Sequence, residues 1–145
     1  MPGSSPPLLA APPVQRSPAT DVFHSSVRRP VVLVVDDEAN VRELLAVGLS
    51  AYGYEVRTAV GGAHAIDVCQ QDREAIVAAL IDKRMPGVHG FSTLAAIRQI
   101  APHARCWLIT GDADAYAPDE LEQLGAQGVI HKPFQLQEIV RLLRS

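Results

Sequence analysis

The strongest constraint on the fold of this chain is a regular alternation between short apolar runs and longer segments with helical periodicity. The first run, Val31–Val35, is unbroken and rich in β-branched residues, which is typical of a strand buried on both faces. Four more strands are predicted at 55–60, 76–81, 106–109 and 128–130, and helices around 41–49, 65–69, 94–100, 118–124 and 136–143. Five alternating strand–helix units predict an α/β fold with a doubly wound parallel sheet and right-handed crossovers.

The composition fits one domain preceded by a tail. A chain of 145 residues that is 48% hydrophobic and 20% charged has the length and apolar content to bury one core. Six of its 11 prolines fall within the first 29 residues, and prolines at this density prevent a helix or strand from running far. We therefore expect a disordered, Pro/Ser-rich tail over residues 1–29 and a folded domain over residues 30–145.

Charge, hydropathy and cysteine usage argue against several classes of protein. The net charge is −3 and no cluster of Lys and Arg occurs, so direct binding to nucleic acid or to an anionic membrane is not expected. No segment approaches the roughly 20 apolar residues of a membrane span, and no signal peptide is recognisable, so we expect a cytoplasmic protein. Cys69 and Cys106 lie outside any zinc-binding spacing and are expected to be reduced and partly buried.

Polar residues follow four of the predicted strands. Asp36 and Asp37 follow the first strand, Asp82 the third, Thr110 the fourth and Lys132 the fifth. Ligands of open parallel sheets bind at the carboxyl ends of the strands, so these side chains are expected to converge. Carboxylates that share an edge need a counter-charge, and oxygen ligands without His or Cys favour Mg²⁺. The hydroxyl and the ammonium suit a phosphoryl oxygen, which leaves one carboxylate to act as a nucleophile and form an acyl phosphate.

Each of these residues also has an ordinary structural interpretation. Asp37 could cap the first helix, because Asp is common at helix N-termini, and capping and metal binding can coexist. Asp82 and Thr110 could simply form turns, and Lys132 could be a solvated surface lysine. Their joint occurrence at strand ends, in the order that the chemistry needs, favours the functional interpretation.

Residues 31–144 resemble the receiver domain of two-component response regulators. Four runs carry the resemblance: VVDDE at 34–38, DKRMPG at 82–87, ITG at 109–111 and HKPF at 131–134. The resemblance implies a flavodoxin-like (βα)5 fold with the sheet order 2-1-3-4-5 and a cis peptide before Pro133. It also implies the following roles: Asp82 as the phosphoacceptor; Asp36, Asp37, Asp82 and the backbone carbonyl of Arg84 as Mg²⁺ ligands; Thr110 as the switch hydroxyl; and Lys132 as the phosphate-binding lysine.

The function implied by the resemblance is a phosphorylation-dependent signalling switch rather than an enzyme with a separate substrate. A histidine kinase or a phosphotransfer protein would donate the phosphoryl group to Asp82 with Mg²⁺, and the domain would assist its own phosphorylation and dephosphorylation. The phosphorylated form would bind an output partner through the fourth helix, the fifth strand and the fifth helix. We expect a stand-alone receiver that is a monomer or a weak dimer.

One position departs from the family pattern. An aromatic residue usually stands three positions before the lysine, and here that position is Val129. Because a valine has no ring to rotate inward, we expect the switch to act through backbone shifts in the loop 111–117.

Two other interpretations remain open. A phosphatase or phosphotransferase of the haloacid dehalogenase type also uses an Asp nucleophile, but it normally carries a second Asp two positions later, where this chain has Arg84. A receiver fold that acts as an adaptor without phosphorylation is disfavoured by the complete set of strand-end residues. Failure to bind Mg²⁺ or a phosphoryl analogue would favour the adaptor.

Overall fold

The central sheet contains five parallel strands in the predicted order. A computed structural model describes residues 28–85, 88–111 and 116–145. The strands are β1 (Val31–Val35), β2 (Glu55–Ala59), β3 (Ile76–Asp82), β4 (Arg105–Thr110) and β5 (Ala126–His131). They pair in the order β2-β1-β3-β4-β5. The predicted fold class, a doubly wound α/β sheet of order 2-1-3-4-5, is therefore confirmed.

Helices cover both faces of the sheet. They are α1 (Ala39–Ala51), α2 (Gly62–Asp72), α3 (Gly90–Ile100), α4 (Pro118–Leu124) and α5 (Leu136–Arg144). The odd-numbered residues of β1 pack with Cys69 of α2 and Ile97 of α3, and the even-numbered residues pack with Leu45 of α1 and Ile139 of α5. Burial on both faces explains why β1 contains no polar residue, since each buried aliphatic side chain contributes roughly 1.5–3 kcal/mol.

Some details differ from the sequence-based prediction. β5 runs from 126 to 131, whereas the apolar pattern predicts only 128–130. The pattern misses the start of this edge strand because Gln127 interrupts the apolar run after Ala126. Within the predicted loop 83–90, Arg84–Met85 and Val88–His89 pair as a short antiparallel ladder. Two-residue strands are too short to leave a periodic signal. Residues 86 and 87 of this loop are outside the described ranges.

Two arginines of the predicted tail contact the domain. The Nη2 of Arg28 donates to Glu55 Oε2 at 2.7 Å and to Asp72 Oδ2 at 3.0 Å. The guanidinium of Arg29 donates to two backbone carbonyls at the end of α1 and in the turn after it, at 2.9 and 3.1 Å. Residues 1–27 are outside the described ranges, so disorder of residues 1–29 stays a prediction.

The remaining sequence-level expectations concern membranes and thiols. No helix in the described part of the chain is long and apolar enough to cross a membrane. Cys69 and Cys106 are free thiols and are fully buried, more than the partial burial predicted. Burial raises the pKa of both thiols, that of Cys106 to about 12, so both are protonated at neutral pH.

Candidate functional site

The parallel sheet brings the predicted polar residues to one edge. Asp36 follows β1, Asp82 ends β3, Thr110 ends β4 and Lys132 follows β5. The backbone N–H of Lys132 donates to the carbonyl of Thr110 at 2.8 Å, which continues the pairing of β4 with β5 to the edge itself. The convergence of these strand ends, expected from the direction of the strands, is present in the structure.

Three carboxylates approach one another at this edge. One oxygen from each of Asp36, Asp37 and Asp82 lies within 4.8 Å of the others. Asp36 is fully buried and Asp82 is 6% exposed, whereas Asp37 is exposed. The N–H of Glu38 donates to Asp36 Oδ1 at 2.9 Å, and the N–H of Arg84 donates to Asp82 Oδ1 at 3.2 Å. These bonds from neighbouring backbone orient one oxygen of each buried carboxylate.

The ammonium of Lys132 faces three carboxylates. Its Nζ lies 2.9 Å from Glu38 Oε1, 3.2 Å from Asp36 Oδ2 and 3.7 Å from Asp82 Oδ2. The contact with Asp36 is an ion pair without hydrogen-bond geometry, because Oδ2 of Asp36 has no hydrogen-bond partner among the described residues. Burial lowers the pKa of Lys132, but the hydrogen bond to Glu38 and the charges of Asp36 and Asp82 outweigh it and raise the pKa. Lys132 is therefore a cation.

The carboxyl of Asp82, the candidate phosphoacceptor, is a weaker acid than an ordinary aspartate. Burial raises the pKa of Asp82 to about 6, and the negative charge of Asp36 adds to this effect. The N–H of Arg84 and the charge of Lys132 lower the pKa and only partly compensate. The site thus holds more negative charge than its lysine balances, and a bound cation would relieve the excess.

A cleft of about 380 Å³ opens at this edge. Its lining consists of Asp37, Glu38, Asp82, Arg84, Thr110, Gly111 and Lys132. The carboxylate oxygens, without His or Cys, fit a hard divalent cation such as Mg²⁺. The buried Oδ2 of Asp36, which has no hydrogen-bond partner in the described part of the chain, is an oxygen that such a cation would satisfy.

The capping interpretation of Asp37 is not supported. The N-cap residue of α1 is Glu38, and its side chain makes no capping hydrogen bond. Asp37 instead contributes to the carboxylate cluster and to the lining of the cleft. Its side chain is therefore available to a ligand.

Two features of the site were not predicted from the sequence. Glu38 supplies the shortest contact of Lys132, and the side chain of Lys83, the residue after Asp82, is buried. The Nζ of Lys83 lies 5.1 Å from the ring centroid of Tyr116, and this ring meets Phe91 edge-on at 6.2 Å between centroids. The only signals in the sequence were the third carboxylate in DDE and a lysine directly after Asp82 in a chain with two lysines.

Two expectations from the resemblance concern the end of β5. The Lys132–Pro133 peptide is cis, as the resemblance implies. Val129 is half-buried and packs against the core cluster on the side of α2 and α3. Residues 112–115, which belong to the loop predicted to carry the switch, are outside the described ranges.

Known proteins with similar sequences identify the family of this chain. Residues 32–144 match the family model described as the response regulator receiver domain. Sporulation initiation phosphotransferase F of Bacillus subtilis is 31% identical over 108 residues, which cover 74% of this chain and 86% of that protein. The chain spans only 24% and 51% of the length of other curated relatives, which are named as transcriptional regulators.

Solved structures of other proteins also resemble this chain. Chemotaxis protein CheY4 of Vibrio cholerae has a TM-score of 0.73 and 28% identity, covering 81% of this chain and 98% of CheY4. A response regulator of Burkholderia pseudomallei, solved with a phosphorylated aspartic acid, a calcium ion and citrate, has a TM-score of 0.72 and 26% identity, covering 79% of this chain and 66% of that chain. This chain therefore belongs to the response regulator receiver domains, the phosphoacceptor switches through which two-component systems signal by phosphorylation.

Proposed function

We propose that Asp82 is the phosphoacceptor of this receiver and takes its phosphoryl group from a histidine kinase or a phosphotransfer protein. The observation that carries the proposal is the position of Asp82 at the end of β3. There its carboxylate belongs to a cluster of three carboxylates within 4.8 Å and faces the ammonium of Lys132 at 3.7 Å. A carboxylate that attacks phosphorus must be held in place, and a positive charge nearby must stabilise the phosphoryl oxygens. Asp82 and Lys132 meet these two requirements.

The transfer step uses the free oxygen of Asp82. Oδ1 accepts the N–H of Arg84, which holds the carboxylate plane and leaves Oδ2 to attack phosphorus. The new O–P bond forms as the P–N bond of the donor phosphohistidine breaks, and the imidazole nitrogen leaves with the electron pair of that bond. Asp82 must be ionised to attack, and a cation bound beside it would favour the ionised form.

The cation of this site is proposed to be Mg²⁺. Asp36, Asp37, Asp82 and the backbone carbonyl of Arg84 would hold it, and when bound it neutralises the charge of the phosphoryl oxygens. Asp36 is fully buried and would bind the cation from the protein side, while the exposed Asp37 would bind it from the solvent side.

Thr110 and Lys132 complete the proposed site. The Thr110 hydroxyl, 2% exposed at the end of β4, would donate a hydrogen bond to a phosphoryl oxygen. Lys132 would pair with another oxygen as a point charge. The domain turns over no separate substrate: these groups assist only its own phosphorylation and dephosphorylation.

Phosphorylation is proposed to change the surface formed by α4, β5 and α5, which would bind the output partner. A pre-existing equilibrium between two conformations, biased by the phosphoryl group, is the physical basis. Because position 129 holds valine, the proposed change runs through the loop 111–117. We propose a receiver over residues 30–145 that acts in the cytoplasm as a monomer or weak dimer, with residues 1–29 as a tail and without direct binding to nucleic acid or membrane.

Incubation with a small phosphodonor and Mg²⁺, followed by intact-mass measurement, tests this function. The wild-type protein should gain one phosphoryl group. Asp82→Asn should gain none and keep its fold, because the amide fills the same volume but is not nucleophilic. Asp67→Asn, on the exposed side of α2, is the matched control and should behave as wild type. No gain in the wild type would favour the adaptor, and turnover of a generic phosphomonoester would favour a phosphatase.

A further inference from the structure

Lys132 is held by Glu38, a residue of the cleft to which the proposed phosphorylation assigns neither a metal-binding nor a phosphoryl-binding role. Its Nζ lies 2.9 Å from Glu38 Oε1, closer than to either buried carboxylate. The Glu38 side chain is 61% exposed and that of Lys132 is 23% exposed. The contact therefore joins a surface carboxylate at the N-cap of α1 to a half-buried cation that directly follows β5.

Among the described residues, the Glu38 side chain makes no hydrogen bond or ion pair other than that with Lys132. Glu38 is the N-cap of α1, yet its side chain makes no capping hydrogen bond. The backbone of Glu38 stabilises the start of α1 instead. Its N–H donates to Asp36 Oδ1, and its carbonyl accepts a hydrogen bond from the N–H of Arg42. An alanine at position 38 would keep both backbone bonds, so the side chain can be removed without loss of the helix start.

The ammonium of Lys132 is shared between Glu38 and the carboxylates of the site. Nζ lies 2.9 Å from Glu38 Oε1 and 3.7 Å from Asp82 Oδ2, so a phosphoryl group on Asp82 would compete with Glu38 for the charge of this ammonium. We propose that Glu38 is a positioning residue that holds Lys132 in the unphosphorylated state and weakens the affinity of the site for a phosphoryl group. This inference rests on the proposed function, and it adds that Glu38 competes with the phosphoryl group for Lys132. A group that binds only one of two states shifts the equilibrium toward that state.

Beryllofluoride, a phosphoryl analogue, measures this competition directly. Its dissociation constant is determined by ¹⁹F NMR at saturating Mg²⁺, so that any change in Mg²⁺ affinity does not contribute. Glu38→Ala should bind beryllofluoride about two- to fivefold more tightly, the range expected for loss of a partly exposed ion pair. Glu43→Ala, which removes an exposed carboxylate from the same helix, is the control and should match wild type. Unchanged or weaker binding by Glu38→Ala would overturn the proposal.

Two further variants separate the contact from the mere charge of Glu38. Glu38→Asp keeps the charge but shortens the side chain, and at an N-cap its carboxylate is drawn to the helix N–H groups. It should bind beryllofluoride as tightly as Glu38→Ala; a wild-type affinity would overturn the proposal. In a Lys132→Gln background, Glu38→Ala should no longer change the affinity. An effect of the same size in that background would show that Glu38 does not act through Lys132.

The wild type separates failure of this inference from failure of the proposed function. If the wild type binds beryllofluoride and gains a phosphoryl group while the Glu38 variants bind like wild type, only the role of Glu38 is wrong. If the wild type neither binds the analogue nor gains mass, both proposals are wrong.

Discussion

Gly90 begins α3 in such close contact with Asp82 that a Cβ atom at Gly90 would lie 2.5 Å from the Asp82 carbonyl oxygen. The same atom would lie 2.7 Å from the Cα of Lys83. The N–H of Gly90 also donates to the carbonyl of Lys83 at 3.1 Å. The start of α3 and the proposed phosphoacceptor are therefore joined backbone to backbone, and a side chain at position 90 would push them apart.

Gly90→Ala should destabilise the domain and slow its phosphorylation. The atoms that the new methyl group meets are backbone atoms, which cannot move aside as a flexible side chain can. Overpacking of this kind lowers the free energy of unfolding by about 1–3 kcal/mol, measured by urea denaturation, and displacement of Asp82 should lower the rate of phosphorylation by a small phosphodonor. Gly61→Ala is the control, since nothing lies within 4 Å of its Cβ position. Equal stability of the two variants would contradict the argument.

Asp37→Ala should weaken Mg²⁺ binding without weakening the fold. Asp37 is exposed and makes no capping bond for α1, whose N-cap is Glu38, so its removal leaves the core unchanged. Loss of one charged ligand should lower Mg²⁺ affinity at least about tenfold, equivalent to ~1.4 kcal/mol, as measured by titration calorimetry. Asp67→Ala is the control for general charge. Mg²⁺ affinity equal to wild type would refute the assignment of Asp37 as a ligand.

The carboxyl of Asp82 should titrate near pH 6 in metal-free buffer. Burial is the main cause of its raised pKa, and the charge of Asp36 adds to it, so Asp36→Asn should move the midpoint down. The ¹³C resonance of the carboxyl carbon, assigned with Asp82→Asn, reports this titration. Because the folded pKa lies above the unfolded one, the contribution of Asp82 to stability is present below about pH 4 and is lost as the pH rises through about 6. A midpoint near the ordinary value would refute the prediction.

The positions of the site residues are predictable because strand direction decides them. Once β1, β3, β4 and β5 are recognised as parallel, Asp36, Asp82, Thr110 and Lys132 must meet at one edge. The sheet order and the cis peptide follow from the resemblance and not from periodicity. The roles assigned to these residues remain predictions until phosphorylation is measured.

The contacts that the sequence does not reveal depend on side-chain conformation. Glu38 is 94 residues from Lys132 along the chain, and nothing in the DDE run states which carboxylate takes the lysine. The burial of Lys83 and its contact with the Tyr116 ring likewise depend on side-chain placement that the sequence does not state. Arg28 looks like part of a proline-rich tail in the sequence, and only the fold brings Glu55 and Asp72 together around its guanidinium.

The contacts of Arg28 and Arg29 with the domain place its N-terminal boundary at residue 28, two residues before the boundary that composition predicts. Removal of residues 1–27 should leave the Tm unchanged. Removal of residues 1–29 should lower the Tm at pH 7, because Glu55 and Asp72 then lose the guanidinium of Arg28. The hydrogen bonds of Arg28 hold the pKa of both carboxyls below their usual values. Their contribution is therefore present above about pH 4.5 and is lost as the pH falls through the lowered values. The difference in Tm between the two truncated proteins, measured by calorimetry, should shrink below about pH 4. Equal Tm values at pH 7, or a loss on removing residues 1–27 alone, would contradict this prediction.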